Sequence, residues 1–408
     1  MNILQINAVY KRLSTGTNVY EMNQTFSAQG HRCVAAFSVG KVEDPETEYL
    51  IGGYIGQKLH ALLSRVTGLQ GYFSSWSTRK LLRYMDRFQP DVVVLNNLHA
   101  NYIHLPMLLR YLAKKDIPTV AVLHDCWFYT GKCCYYSTVA CSKWKTQCHK
   151  CPERKQYNKS WFFDRSRKMF QDRKALFGAI DRLGVVAVSQ WLLNEAQQAP
   201  VFANAREKKR IYNWIDTTAF APVDGAALRK KLGLEGKKIL LAVAAAWEPR
   251  KGLDTLTWIA GQLQPEERLV LIGRMPKDMQ MPANVLCIPA VADRQSLIEY
   301  YSMADVFLQP SLEETFGKVT AEAVSCGTPV VCFDCTANPE LVGENCGAVV
   351  PAGDWEGMLQ HTRTILSTGK ERYTHSCRSF ALQQFDRHKI LDQYMEVFQN
   401  LQKDRAVK

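Results

Sequence analysis

Ala304-Asp305-Val306-Phe307-Leu308-Gln309-Pro310-Ser311-Leu312-Glu313-Glu314-Thr315-Phe316-Gly317-Lys318-Val319-Thr320-Ala321-Glu322-Ala323 passes from an apolar strand through a turn into a helix. The strand is expected over Asp305–Leu308 and the helix over Val319–Ser325. Backbone N–H groups around Phe316 and Gly317 then face an anion at a helix N-terminus, and Gly317 lets a pyrophosphate approach the chain closely. Glu314 lies before the helix and Glu322 inside it, so the two carboxylates bracket the anion instead of sharing one ligand atom. A ligand with hydroxyls on both sides of a pyrophosphate, a nucleotide sugar, fits that spacing. Without the strand and glycine, Glu322 would read as a surface charge and Glu314 as an acid favoured near a positive helix end.

Working outward, short β-branched runs alternate with helical stretches along all 408 residues, the pattern of parallel βαβ units. Strands are expected at Asn2–Ala8, Cys33–Ser38, Asp91–Asn96, Pro118–Leu123 and Gly184–Ser189, and again from Lys238–Val243 to Ala348–Val350. The length favours two domains, and the 47% hydrophobic and 22% charged content excludes disordered and fibrous classes. Turn formers mixed with anchoring apolar residues near Asn213–Gly225 set the boundary. The expected fold is α/β, with two doubly wound domains facing a cleft at the carboxyl ends of their sheets. Residues 1–215 form the first, with an insert at 126–174 and a C-terminal crossover helix at 385–402. Residues 216–384 form the second.

No Gly-x-Gly-x-x-Gly follows the first strand, and Gly236-Lys237 is followed by Lys238 where a phosphate-binding P-loop needs Ser or Thr. Dehydrogenase and P-loop readings are therefore disfavoured. Trp247-Glu248-Pro249-Arg250-Lys251-Gly252 places two cations before a helix start, an arrangement that is unfavourable without an anion nearby. The alternative is a solvated start to the Leu253–Gln264 helix.

With Glu314-x7-Glu322, this basic loop, Gly327-Thr-Pro-Val-Val and Asn338-Pro-Glu340-Leu-Val in the same order and spacing, the chain resembles the retaining glycosyltransferases of glycosyltransferase family 4. These have the GT-B architecture of two Rossmann-like domains. The resemblance implies that Glu322 holds the ribose of a nucleoside-diphosphate sugar and Glu314 the hydroxyls of its sugar. Arg250 and Lys251 would neutralise the pyrophosphate, with amides from Phe316 and Gly317. Ala246 stands where many members place the arginine. The implied chemistry is attack by the acceptor on the face from which the phosphate leaves, with no enzyme nucleophile and no catalytic metal.

In the first half, Ser14-Thr15-Gly16-Thr17 opens a helix after the first strand, and Gly16 is either a donor-side amide or an ordinary turn glycine. His124-Asp125 ends the Pro118–Leu123 strand at the ligand-binding edge. His124 is expected near the sugar and leaving phosphate, with Asp125 orienting it or receiving the acceptor's proton.

Residues 1–221 carry 30 basic and 16 acidic side chains, and residues 132–174 alone carry twelve and three. Tyr135, Tyr136, Trp144, Tyr157, Trp161, Phe162, Phe163 and Phe170 are interleaved with these charges. Such an insert suits an anionic membrane bearing a lipid-linked acceptor, or nucleic acid, or a loop packed by its own aromatics. Six cysteines fall between Cys126 and Cys151, and Cys133, Cys141, Cys148 and Cys151 are candidate ligands of a structural zinc. A disulfide or buried thiols are the alternatives.

No signal peptide or membrane-spanning stretch is read, so a cytoplasmic protein, peripheral on the inner face of the membrane, is expected. The expected function is transfer of a sugar from a nucleoside diphosphate to a glycan or lipid-linked oligosaccharide in bacterial surface-polysaccharide assembly, with no nucleic-acid partner. The rivals are a GT-B nucleotide-sugar epimerase and a zinc-stabilised nucleic-acid-binding protein.

Overall fold

The β-branched runs become strands because a residue buried on both sheet faces must be apolar throughout. The computed structural model describes every residue except Asp278, Ala292 and residues 404–408. Among the described residues there are two all-parallel sheets. The first contains β1 (Asn2–Ile6), β2 (Arg32–Phe37), β3 (Glu48–Leu50), β4 (Val92–Leu95), β5 (Thr119–Leu123), β6 (Leu183–Ala187) and β7 (Glu207–Arg210). The second contains β8 (Lys238–Ala246), β9 (Glu267–Arg274), β10 (Val285–Ile288), β11 (Val306–Gln309), β12 (Val330–Asp334) and β13 (Gly347–Pro351). Their orders are β3-β2-β1-β4-β5-β6-β7 and β10-β9-β8-β11-β12-β13. Each order reverses direction once, between β1 and β4 and between β8 and β11, and open parallel sheets bind ligands beyond the carboxyl ends of strands at such a reversal.

The two strands missing from the sequence reading, β3 and β7, are both edges. β7, Glu-Lys-Lys-Arg, carries the charges that protect a sheet edge, and β3, Glu-Tyr-Leu, is three residues long with its buried Glu48 paired to Lys11, so neither shows an apolar run. Helices on the sheet faces follow the 3.6-residue period more openly. In Leu105–Lys114, Leu105, Leu108, Leu109 and Leu112 are buried, each worth about 1.5–3 kcal/mol. His104 caps this helix by accepting the Met107 N–H at 3.2 Å.

The chain divides into two compact units, residues 1–211 with the chain from Leu391 onward, and residues 212–390. Tyr212 to Ile215 belong to the second unit because Tyr212 packs on Phe316 and Phe385, while the Ile215 N–H donates to the Phe385 carbonyl at 2.9 Å. Helix Arg387–Gln402 carries the chain back, with Phe398 against Phe26 and the Leu401 side chain over Gly184 in β6.

Helix Tyr54–Thr67 escaped the sequence reading for an instructive reason. It buries His60 and Ser64 and leaves Tyr54, Ile55, Leu59 and Leu62 exposed, the reverse of a core-facing helix. Helix Ser166–Gly178 was absorbed into the expected insert. It buries Met169, Phe170 and Phe177 together with Arg173, whose guanidinium lies 3.8 Å from the Trp127 ring centre and donates to the Trp127 and Thr130 carbonyls. Removing this buried cation would orphan two carbonyls. Arg173→Ala is therefore expected to lower the unfolding free energy of the first unit by about 3 kcal/mol. Arg173→Lys should recover only part, because one ammonium cannot both stack on Trp127 and reach two carbonyls. Denaturant unfolding that leaves Arg173→Ala within about 0.5 kcal/mol of the parent would refute this account.

Candidate functional site

The second unit brings together most of the residues singled out from its sequence. The loop after β8 ends at Gly252 with φ +74°, where a side chain would collide with the Pro310 carbonyl of the loop after β11. Only glycine lets these two loops touch. The Leu312 N–H donates to the Arg250 carbonyl at 2.8 Å, and the Lys251 ammonium forms an ion pair with the Glu314 carboxylate. Lys251 and Glu314 are largely buried, so this pair is shielded from salt more than a surface pair. Arg250 points its Nε to Glu248 Oε2 at 3.1 Å.

Gly317, at φ +88°, is the N-cap of helix Lys318–Ser325, which no side chain caps. Beneath it Gln309 donates to Thr320 Oγ1 at 3.1 Å and Ser311 donates to Gln309 Oε1 at 3.2 Å. Phe316 turns its ring into an aromatic cluster with Tyr212 and Phe385, which leaves its backbone to form the turn. Glu322 is nine-tenths buried and accepts the Tyr301 hydroxyl at 2.9 Å. Thr336, which sequence reasoning passed over, accepts the Glu314 N–H on its hydroxyl at 2.9 Å and fixes the backbone of that carboxylate. Its position just after β12, at a carboxyl strand end, was the available signal.

In the first unit, His124 follows β5 and its Nε2 lies 3.0 Å from Asn96 Oδ1, just after β4. Since that oxygen accepts, Nε2 donates and Nδ1 keeps its lone pair. The ring is half-buried, and the loss of hydration pushes its pKa down to about 4, so His124 is neutral near pH 7. A neutral imidazole suits a hydrogen bond to a sugar hydroxyl better than pairing with a phosphate.

Asp125 is engaged elsewhere. Its Oδ2 lies 2.8 Å from His99 Nε2, and its Oδ1 accepts the Trp127 N–H at 2.8 Å. Burial alone would raise the Asp125 pKa, but the adjacent His99, the Trp127 N–H and the neighbouring His124 together outweigh it and hold the carboxyl below its usual range. The carboxylate thus orients His99, a residue missing from the sequence reading although Asn96-Asn97-Leu98-His99 follows β4 at the ligand-binding edge. His99, Asp125 and Cys134 form a group whose potential ligand atoms lie within 4.8 Å of one another, the one such group among the described residues. Gly16 is buried inside helix Leu13–Ala28, where a side chain would press on the Val9 backbone at 3.1 Å, so packing explains it.

As pH falls from about 6.5 towards 4, the unfolded chain takes up protons that half-buried His124 and buried His60, both held near 4 by lost hydration, refuse in the fold. The first unit should therefore lose stability across that window. Melting curves against pH should show a shallower decline for His124→Gln, and an unchanged slope would mean that His124 is not held neutral.

Comparison with known proteins places these features in a family. Residues 15–219, half of the chain, match the sequence model described as Glycosyltransferase Family 4, and residues 237–368 match Glycosyl transferases group 1. A D-inositol 3-phosphate glycosyltransferase of Mycobacterium sp. (strain KMS) is 31% identical over 196 residues, a match covering 43% of each chain and so less than half of that relative. The putative colanic acid biosynthesis glycosyl transferase WcaC of Escherichia coli (strain K12) is 24% identical over 76% of this chain and 77% of its own. Anabaena HepE, solved in complex with UDP, superposes with a TM-score of 0.67 at 18% identity over 98% of this chain and 100% of its own, a likeness of fold. The fold is the GT-B type of two Rossmann-like domains, and the chain belongs to glycosyltransferase family 4.

Proposed function

We propose that the protein is a retaining glycosyltransferase that moves a sugar from a nucleoside-diphosphate sugar to a glycan or lipid-linked oligosaccharide in surface-polysaccharide assembly. The observation that carries this reading is the Lys251–Glu314 ion pair, joined across two loops close to the uncapped N-terminus of helix Lys318–Ser325. A phosphate-neutralising cation in contact with a sugar-binding carboxylate marks the bond between sugar and phosphate. Lys251, Arg250 and the amides near Gly317 stabilise charge on the departing diphosphate, the interaction that counts most in such a transfer. Glu322 holds the ribose. In the first unit His124 orients sugar hydroxyls, and the Asp125–His99 pair serves the acceptor side. The chemistry asks for no catalytic metal.

Because Glu314 already engages Lys251, a nucleoside diphosphate without its sugar competes with the carboxylate for that ammonium. UDP is the first probe, by analogy with the HepE complex. In calorimetric titrations Glu322→Ala and Lys251→Ala are each expected to weaken UDP binding by about 10- to 100-fold, the value of one or two charge-assisted hydrogen bonds. Glu314→Gln should keep UDP affinity or raise it slightly while abolishing turnover of the sugar nucleotide. Thermal stabilisation by RNA with none by any nucleoside diphosphate would defeat the transferase reading, and conversion of the donor to an epimer would replace it.

The acceptor side carries a second expectation, a peripheral contact with anionic lipid. Tyr54, Ile55, Leu59 and Leu62 form an exposed stripe, with Lys58 beside Tyr54 and Arg65 further along the same helix. The exposed Trp161, Phe162 and Phe163 adjoin it, for the Trp161 N–H donates to the Arg65 carbonyl at 2.7 Å. Apolar side chains edged by cations are the pattern of an interfacial helix. No described helix is long and apolar enough to cross a membrane. The protein should float with vesicles containing anionic phospholipid, less so at high salt, and Ile55→Asp with Phe162→Asp should abolish flotation. Equal flotation of parent and double variant would refute this surface.

A further inference from the structure

Between the end of β5 and helix Ser166–Gly178 the chain runs for some forty residues whose regular structure among the described residues is one short 3-10 turn, Lys143–Lys145. A loop of that length seldom holds one conformation without a cross-link or its own core. It has a small core, in which Tyr129 packs edge to face on Tyr136 and Trp144 while those two rings meet at a 35° tilt. Beside Trp144 lies a small cavity whose walls include Cys133, Cys141, Cys148 and Cys151, together with Lys132.

We propose that these four cysteines bind one zinc ion as a structural tetrathiolate site. Four observations carry the assignment. All four cysteines line one cavity, although Cys133 and Cys141 lie apart in sequence from the Cys148–Cys151 pair. The Gly131 N–H donates to Cys148 Sγ at 3.2 Å and the Glu153 N–H to the Cys151 sulfur, so backbone donors face the sulfurs as they do around metal-bound thiolates. The Cys133 and Cys151 sulfurs are themselves in hydrogen-bond contact. Buried cations stand close by. Lys132 is held by the Arg154 and Asn158 carbonyls, and Arg173 has one terminal nitrogen without a hydrogen-bond partner. A zinc tetrathiolate carries two negative charges, which buried cations standing close by offset.

No three of the four sulfurs lie within 4.8 Å of one another. Tetrahedral coordination at about 2.3 Å sets sulfurs about 3.8 Å apart, so zinc would draw Cys141 and Cys148 inward as it displaces the thiol protons. The site lies outside the proposed donor and acceptor machinery, and its readout is metal and not turnover.

Elemental analysis of the purified full chain, prepared without added metal, should find close to one zinc per chain that survives dialysis. Cobalt reconstitution should give the intense thiolate-to-cobalt charge-transfer and visible ligand-field bands of a tetrahedral sulfur site. Cys148→Ser and Cys151→Ser should each lose the metal, with Cys332→Ser as a control that keeps it. If those variants fail to fold, alkylation of the parent supplies the second measurement. Cys133, Cys141, Cys148 and Cys151 should be protected until a chelator is added. Zinc far below one per chain, with the four thiols alkylated equally with and without chelator, would overturn the proposal. So would a disulfide between Cys133 and Cys151 found by mass spectrometry of the non-reduced protein.

Discussion

The second unit is organised around one close approach, the contact of Gly252 with the Pro310 carbonyl. β8 and β11 are neighbours at the point where the strand order reverses, and their following loops would splay apart if either carried bulk there. Glycine removes the bulk. The Arg250 carbonyl then reaches the Leu312 N–H, and Lys251 reaches Glu314. Cation and carboxylate are thereby set as a unit by backbone geometry, not by two long side chains finding each other, and little side-chain entropy remains to be lost. On the proposed reading this couples the two ends of the donor. A pyrophosphate drawing Lys251 away leaves Glu314 in need of donors, and the hydroxyls of the attached sugar supply them. The intact donor is favoured over the nucleotide left after transfer, which is the sense needed for release.

The first unit repeats this logic with neutral and polar partners. The segments after β4 and β5 are linked by Asn96 to His124 and by His99 to Asp125, so each histidine has a partner from the neighbouring strand's loop. Burial has opposite effects on the two sides of this array. It strips the proton from His124, while His99 and the Trp127 N–H help keep Asp125 ionised against it. One negative charge thus stands beside one uncharged imidazole, a division of labour that a solvent-exposed set of the same residues would not maintain.

Much of this was legible in the sequence. Every interior strand announced itself, because a strand buried on both faces has no choice but to be apolar, and Glu314, Gly317 and Lys251 were readable from their places at strand ends and helix starts. What stayed hidden is hidden for physical reasons. Edge β7 is charged, and edge β3 is three residues long. The partners His99, Thr336 and Tyr301 lie far in sequence from the residues they hold, and a single chain does not show which distant loops meet. Helix Tyr54–Thr67 defeats the periodicity argument because its polar side faces inward, where His60 Nε2 accepts the Gly71 N–H at 3.2 Å, so the neutral ring's Nδ1–H donates to Ser74 Oγ at 2.7 Å. The period is present, with the faces exchanged.

The basic excess of the insert also changes meaning. Read from composition, twelve cations between residues 132 and 174 form a surface for anions. In the fold, several are turned to the backbone. Lys132 donates to the Arg154 and Asn158 carbonyls, Lys143 to Lys150 at 3.0 Å, Arg154 to Phe162 at 2.9 Å and Arg173 to Trp127 at 2.6 Å. A long segment without helix or sheet has no ladder for its carbonyl oxygens, yet buried oxygens must find donors. Lysine and arginine bring several donors and no acceptor, so they can close such a segment without creating a new unsatisfied oxygen. Part of the positive charge that composition assigns to a partner is therefore spent inside the loop. What remains for lipid or acceptor is the smaller set of cations beside the exposed aromatics.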